Sequence, residues 1–151
     1  MITILCVGKK HEQLFAAAIA HYEQRLAPFS RIKWQILAPS GFDGQRARDD
    51  ESNRIAARLS PDDVVILLDE KGRDFTSQDL ATYIERARTS SRTIVCIIGG
   101  AYGVNDAVRQ RANHCLAFGS SVFPHQLVRV MLLEQLYRAH SLLAGSKYHH
   151  E

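Results

Sequence analysis

The sequence predicts an α/β fold with a mainly parallel sheet and helices on both faces. Three observations predict it. Short apolar runs of strand length alternate with helix-period segments from one end of the 151 residues to the other. The runs Val64-Val65-Ile66-Leu67-Leu68 and Thr93-Ile94-Val95-Cys96-Ile97-Ile98 are apolar without alternation, as strands covered on both faces are. The later runs open into loops of glycine and other small residues, the arrangement found where a parallel sheet presents its carboxyl ends to a ligand.

Taken in order, Ile2 to Val7 is a strand ending at Gly8, with Lys9-Lys10-His11 as the following turn. Glu12 to Leu26 is a helix, because Leu14, Phe15, Ala18, Ile19, Tyr22 and Leu26 recur at helical spacing, and Pro28 stands just past its end. Ile32 to Leu37 alternates with period two and so belongs near a sheet edge. Phe42 to Asp50 has no periodicity and reads as a mobile loop able to touch substrate, ahead of a helix over about Asp50 to Leu59. After the turn Ser60-Pro61-Asp62-Asp63, strand three is Val64 to Leu68, and Asp69-Glu70-Lys71-Gly72 leaves its end as a solvated turn. Thr76 followed by Asp79 is a capping-box variant that starts a helix to about Arg88.

Thr93 to Ile98 is strand four. Asn105-Asp106 caps a short helix reaching about Asn113 with Ala107, Val108 and Ala112 inward, and Cys115 to Phe118 is strand five. His125 to Leu143 is the last helix, apolar around more than one stripe in its first half, which points to cover from several directions and to a homodimer built partly on it. No repeat, low-complexity segment or linker interrupts the order, so residues 1–151 read as one domain.

A chain of this size buries roughly 70% of the surface its extended form exposes, enough for a core without covalent staples. Cys6, Cys96 and Cys115 are odd in number and sit in or beside apolar runs, which suits buried thiols in a reducing, cytoplasmic setting. No signal peptide and no membrane-length apolar stretch is present. Nineteen basic against 16 acidic residues give a formal charge of +3, which permits a polyanionic partner without requiring one, and the bias toward arginine favours forked phosphate contacts.

The chemistry narrows by elimination. There is no Gly-x-x-x-x-Gly-Lys-Ser/Thr run, no Gly-x-Gly-x-x-Gly after a strand, and no His-Glu-x-x-His or Cys-x-x-Cys, so triphosphate, dinucleotide and metal sites are disfavoured. Ser120 and Ser121 near His125 lack a nucleophile elbow, and adjacent Asp69 and Glu70 diverge too far to act as a catalytic carboxylate pair. What remains is a pair of small-residue loops, Gly99-Gly100-Ala101-Tyr102-Gly103 and Phe118-Gly119-Ser120-Ser121-Val122-Phe123-Pro124-His125, each following a strand and together suggesting one ligand cleft.

These loops, with Gln126-Leu127-Val128-Arg129-Val130, Glu134-Gln135-Leu136-Tyr137-Arg138-Ala139, Tyr148-His149 and the opening Ile4-Leu5-Cys6-Val7-Gly8-Lys9, resemble the ribosomal RNA large subunit methyltransferase H family, minimal members of the SPOUT methyltransferases. The resemblance covers the whole chain. It implies a SPOUT-type α/β knot, in which the C-terminal segment threads a loop as a trefoil, a homodimer, and S-adenosyl-L-methionine as cofactor. The implied reaction methylates N3 of a pseudouridine in large-subunit ribosomal RNA on the assembled ribosome.

Carried across position by position, the resemblance implies cofactor contacts at Leu68, Gly99, Gly100, Phe118, Gly119, Ser120, Ser121, Val122 and Phe123. Adenine needs an apolar slot with main-chain donors and acceptors on its edge, which these residues supply. Arg138, Tyr148 and His149 match positions tied to substrate and activity; His125 joins them as a catalytic candidate because an imidazole suits proton removal from a uracil-type N3. Arg129, Arg138, Tyr148 and His149 are the candidate RNA contacts, through phosphate pairing and base stacking. His150 stands where relatives often carry a basic residue. The alternative is a non-catalytic rRNA-binding ribosome assembly factor, which would hold RNA with no cofactor dependence.

Overall fold

The computed structural model describes residues 1–145 and shows five strands alternating with five helices. In chain order these are β1 (Ile2–Val7), α1 (Gln13–Leu26), β2 (Ile32–Leu37), α2 (Gly44–Ala56), β3 (Val64–Asp74), α3 (Ser77–Thr89), β4 (Ile94–Ile98), α4 (Asp106–Arg111), β5 (His114–Ala117) and α5 (His125–Leu143). The sheet order is β2-β1-β4-β3-β5 and every pairing is parallel. β2 is an edge strand, as its alternating pattern predicts, and the unbroken apolar strands β3 and β4 lie inside.

Period-two geometry divides the core. Ile2, Ile4 and Cys6 of β1, Val64, Ile66 and Leu68 of β3, and Ile94, Cys96 and Ile98 of β4 point to one face, where α1, α3 and α5 cover them. Leu5, Val7, Val65, Leu67, Val95 and Ile97 point to the other, under Ile55 of α2 and Val108 of α4. α5 lies against both α1 and α3. Its Leu132, Leu133, Leu136 and Ala139 are buried there, so much of the apolar surround that the sequence assigns to a partner is met within the chain. Leu143 stays partly exposed at its end, and Leu14 of α1, read as an inward residue, faces outward.

Two boundaries differ from expectation. Residues 44–49 are helical, so the loop expected over Phe42 to Asp50 shrinks to its first residues. The buried stripe of α2 is Ala47, Glu51, Ser52 and Ile55, a proper helical spacing carried by small and polar side chains that apolar periodicity cannot register. β3 continues through the segment read as a turn: after an irregularity between Leu68 and Arg73 the strand still pairs with β5, Arg73 with Leu116 and Asp74 with Ala117. Gly72 permits this, since a Cβ there would lie 2.7 Å from the backbone nitrogen and carbonyl carbon of Leu116.

Local chemistry explains the helix starts that were read correctly. Thr76 caps α3 by accepting from Asp79 N at 3.1 Å, while Asp79 Oδ2 accepts from Thr76 N at 2.9 Å. Asn105 accepts from Val108 N at 3.2 Å to start α4, which ends at Arg111 with Val108 buried and Ala107 exposed. Among the described residues no helix is long and apolar enough to cross a membrane.

Candidate active site

All five strands deliver their carboxyl ends to one edge of the sheet, and an open cleft of about 840 Å³ lies there. Its position follows from the topology: parallel strands end together, and the loops leaving them form the walls. Of the residues expected to bind cofactor, Leu68, Gly99, Gly100, Phe118, Gly119, Ser121, Val122 and Phe123 line it; Ser120, within the same loop, is exposed and does not. Gly99 closes tightly on its own loop, since a Cβ would sit 3.0 Å from Val104 Cγ1 and 3.3 Å from the Gly103 carbonyl carbon. Gly119 has a φ of 104°, a conformation that side chains rarely adopt.

The wall formed by β3 is charged. Asp69, its side chain only 9% exposed, pairs with Arg109 at 3.1 Å, so it is a buried anchor and not the solvated turn residue the sequence suggests. The carboxylate hydrogen bond holds Arg109 in its charged form, raising its pKa. Cys115 beside it is no nucleophile, because burial first and Asp69 second raise its thiol pKa, and burial pushes Cys96 up to about 12.

His125 also lines the cleft, at the first turn of α5. Burial lowers its pKa, the nearby Arg129 guanidinium lowers it further, and backbone groups of Gly99 and Ile98 act in the opposite direction. The imidazole is therefore held in its neutral form near pH 7.

Arg129 is placed differently from the RNA contact expected of it. It is completely buried, with Nη2 donating to Lys9 O at 2.9 Å and Nη1 set 3.1 Å from His11 Nδ1. Gln126 makes the adjoining links, donating to Lys10 O at 3.1 Å and accepting from Glu12 N at 3.2 Å. Together they fasten the start of α5 to the turn after β1, which corrects Arg129 from a surface phosphate ligand to an internal clamp that offers RNA no surface.

Arg138 is on the same helix as His125 but 13 residues on, about 20 Å along the axis at 1.5 Å per residue. It pairs with Glu134 Oε1 at 2.6 Å and lies away from the cleft walls. Tyr148 and His149, with His150, lie outside the described residues. The sequence reading names the Phe42 to Asp50 segment, with Arg48, as able to touch substrate and the 99–103 loop, with Tyr102, as part of the cleft, but misses Ser40 and Glu51 and the convergence of all four at the β1 and β2 end. They are spread over some sixty positions and share no motif, so only the fold assembles them.

An all-parallel sheet with a glycine-rich cleft at its carboxyl edge defines a ligand-binding α/β protein, and comparison with known proteins gives the class. The family described as "Predicted SPOUT methyltransferase" matches residues 1–149. A protein named ribosomal RNA large subunit methyltransferase H from Nitratidesulfovibrio vulgaris strain DP4 is 40% identical over 153 residues, covering 99% of this chain and 98% of the relative. Its namesake from Maridesulfovibrio salexigens is 41% identical over 147 residues, covering 95% and 94%. The chain belongs to the SPOUT methyltransferases and, within them, to the ribosomal RNA large subunit methyltransferase H family.

Proposed function

We propose that the protein transfers a methyl group from S-adenosyl-L-methionine to N3 of a pseudouridine in large-subunit ribosomal RNA, acting in the cytoplasm as a homodimer on the assembled ribosome. The observation that carries this reading is the convergence of Leu68, Gly99, Gly100 and the 118–123 loop on one cleft in a chain of this family. On this reading the C-terminal segment is knotted, as the family implies, and residues 1–151 act as one methyltransferase domain.

The residues present fit that cofactor. Phe118, Val122 and Phe123 provide an apolar slot, and the loops around Gly99 and Gly119 bring main-chain groups close to a bound edge. When bound, the sulfonium supplies an activated methyl group for in-line displacement by the target nitrogen. The chain's own work is then to hold the base in line and to accept the N3 proton. Neutral His125 is the proton acceptor we assign.

Arg138 lies too far from His125 to meet the same base from within one subunit. Its contribution to substrate binding is therefore made in a composite site with a second subunit, and we assign Tyr148 and His149 to the same site on the resemblance alone. Mixed dimers joining a chain truncated after residue 145 to a Gly99→Val chain should recover activity that neither homodimer has. Failure of every mixed dimer to recover it would reject the composite site.

Transfer of labelled methyl from S-adenosyl-L-methionine to assembled ribosomes, compared with free rRNA and mapped by mass spectrometry, tests the activity itself. Label on a large-subunit pseudouridine in ribosomes supports the reading. RNA binding by a folded dimer with no label would favour the assembly-factor alternative.

A further inference from the structure

The phosphates of an RNA substrate need cations, and the cleft itself is poorly supplied with them. Among the described residues its walls carry five carboxylates against four lysine and arginine side chains, and Arg109 is already paired with Asp69. Arg129 is fully buried, and Arg138 is paired with Glu134. Phosphate contacts fix the register of a nucleic-acid-binding protein and supply much of its affinity, so unpaired guanidinium groups are expected close to the cleft.

Two lie at the β5 edge of the sheet. Arg73, in the second half of β3, pairs in register with Leu116 of β5, two residues before the 118–123 loop. Arg86 is exposed on α3, three positions past Tyr83 and so beside it on the helix surface. His114 of β5 stacks on the Tyr83 ring with centroids 3.6 Å apart, and the Arg73 guanidinium stands 5.7 Å over that same ring. Holding Arg73 on an aromatic face reduces the freedom it would lose on gripping a ligand.

Both guanidinium groups keep their forks open. Neither is in a hydrogen bond or salt bridge among the described residues, whereas Arg54 donates to Ala38 O, Arg92 to Asp62 O and Arg111 to Ser60 O, commitments that hold the fold. Their closeness shows at His114: burial lowers its pKa first, Arg73 and Arg86 lower it further, and no carboxylate acts the other way. Asp79 lies near enough to Arg73 to feel its charge, but its carboxylate is engaged in the Thr76 cap. Asp74, next in the strand, lines a neighbouring hollow.

That hollow, of about 360 Å³, joins the edge to the cleft. Phe118 and Gly119 line both, and Asp74 to Ser77 form the opposite wall of the hollow. Arg86 lies nine residues along α3 from Ser77, about 14 Å at 1.5 Å per residue. A strand that leaves the cleft over Phe118 and Gly119 meets Arg73 first and Arg86 beyond it.

We infer that Arg73 and Arg86, beside the Tyr83–His114 stack, form a phosphate-binding track for the rRNA strand that leaves the cleft across the 118–119 loop. The inference rests on the methyltransferase activity proposed above and adds to it where the substrate backbone is gripped. Arginine suits the task because its planar fork pairs two oxygens of one phosphate.

The test is binding of the intact protein to assembled ribosomes, measured by co-sedimentation over a series of salt concentrations. Arg73→Gln combined with Arg86→Gln removes two phosphate contacts, so the slope of log affinity against log salt should flatten by roughly 1.5, at about 0.7–0.9 per contact. Arg73→Lys with Arg86→Lys keeps both charges and should recover most of the slope. Arg31→Gln with Arg58→Gln, which takes the same charge from exposed positions beside β2 and after α2, should keep the wild-type slope. An unchanged slope in the Arg73 and Arg86 glutamine pair, or equal flattening in the Arg31 and Arg58 pair, would overturn the track. So would an equal loss of S-adenosylhomocysteine affinity in the first pair, which would make the two arginines supports of the 118–123 loop. Failure of the methylation reading shows separately, as absence of label on ribosomes treated with the wild-type protein.

Discussion

The two helix layers that cover the sheet differ in what they bury, and the difference separates stability from function. The α1/α3/α5 face gathers 21 buried apolar residues, with the buried polar Gln126, Arg129 and Ser141 of α5 beside them. The α2/α4 face gathers 10, and its inward stripe on α2 includes Ala47, Glu51 and Ser52. The larger layer is thus mostly packing. The smaller layer is part packing and part polar scaffold: Glu51 holds Ser40, Ser52 Oγ accepts from Asn105 N at 2.9 Å, and Asn105 Nδ2 donates to Asp49 at 3.2 Å. Those bonds tie the 100–105 loop and the loop after β2 to α2, which places the cleft's polar end on a helix with little core of its own.

The sharpest way to break this contrast is a matched pair of cavity substitutions. Leu136 and Ile55 are both fully buried, one in each layer. Leu136→Ala should cost about 3–5 kcal/mol of unfolding free energy, because neighbours on three helices and the sheet cannot all collapse into the void. Ile55→Ala should cost about 2–3 kcal/mol, since the thinner layer beside an open cleft relaxes more readily. Urea unfolding of both variants decides it, and equal losses would remove the distinction between the layers.

Between these scales lies Gly72→Ala, which acts on the sheet itself. Its Cβ would press on the Leu116 backbone at 2.7 Å, and backbone in a paired strand cannot swing away. The expected loss is about 1–3 kcal/mol, with amide protection in His114–Ala117 falling before that of β1 or β4. Uniform protection loss across the sheet would instead show that β5 is not the part that yields.

The larger layer was far more legible in the sequence than the smaller one. β1, β2 and α5 have the boundaries read from periodicity alone, because their buried positions carry large apolar residues at the right spacing. α2 began six residues early because Ala47, Glu51 and Ser52 are not apolar signals. The second half of β3 was hidden for a related reason: Asp69 to Asp74 has the composition of a turn, and only pairing with β5 makes it a strand. In the site, Gly99, Gly100 and the 118–123 loop were visible because close backbone approach demands small residues in sequence. Arg129 was misread because composition cannot tell a guanidinium that clamps backbone carbonyls from one that meets phosphate.

Helix caps give a smaller comparison of the same kind. Thr76→Ala removes a capping box from α3 in the larger layer and should cost about 1 kcal/mol. Asn105→Ala removes the α4 cap together with the bond to Asp49, so it should cost about 1–2 kcal/mol and also loosen the 100–105 loop. Thermal unfolding measures the first effect, and cofactor affinity of the folded variants should change for Asn105→Ala alone.

The mildest test uses pH, because the histidines divide unevenly between the layers. His11, His114, His125 and His140 all have lowered pKa values, and each lies on the α1/α3/α5 side. Burial is the leading cause in every case; Arg129 adds to it at His11 and His125, Arg73 and Arg86 at His114, and the chain's amino terminus at His140. His114 stacks on Tyr83 of α3 with ring centroids 3.6 Å apart, and His140 stacks on Phe29 at 5.7 Å. A histidine whose folded pKa is depressed takes up its proton more readily when unfolded, so its contribution is present above about pH 6.5 and is lost as pH falls below that value. The unfolding midpoint should therefore drop between pH 7.5 and pH 5.5, above the range in which Asp79 and Glu85, with pKa values lowered by their hydrogen bonds, become protonated. His125→Asn should flatten that slope without altering it below pH 4.5, whereas an unchanged slope would mean that the His125 pKa is the same in the folded and unfolded chain, so that its burial in the cleft does not depress it.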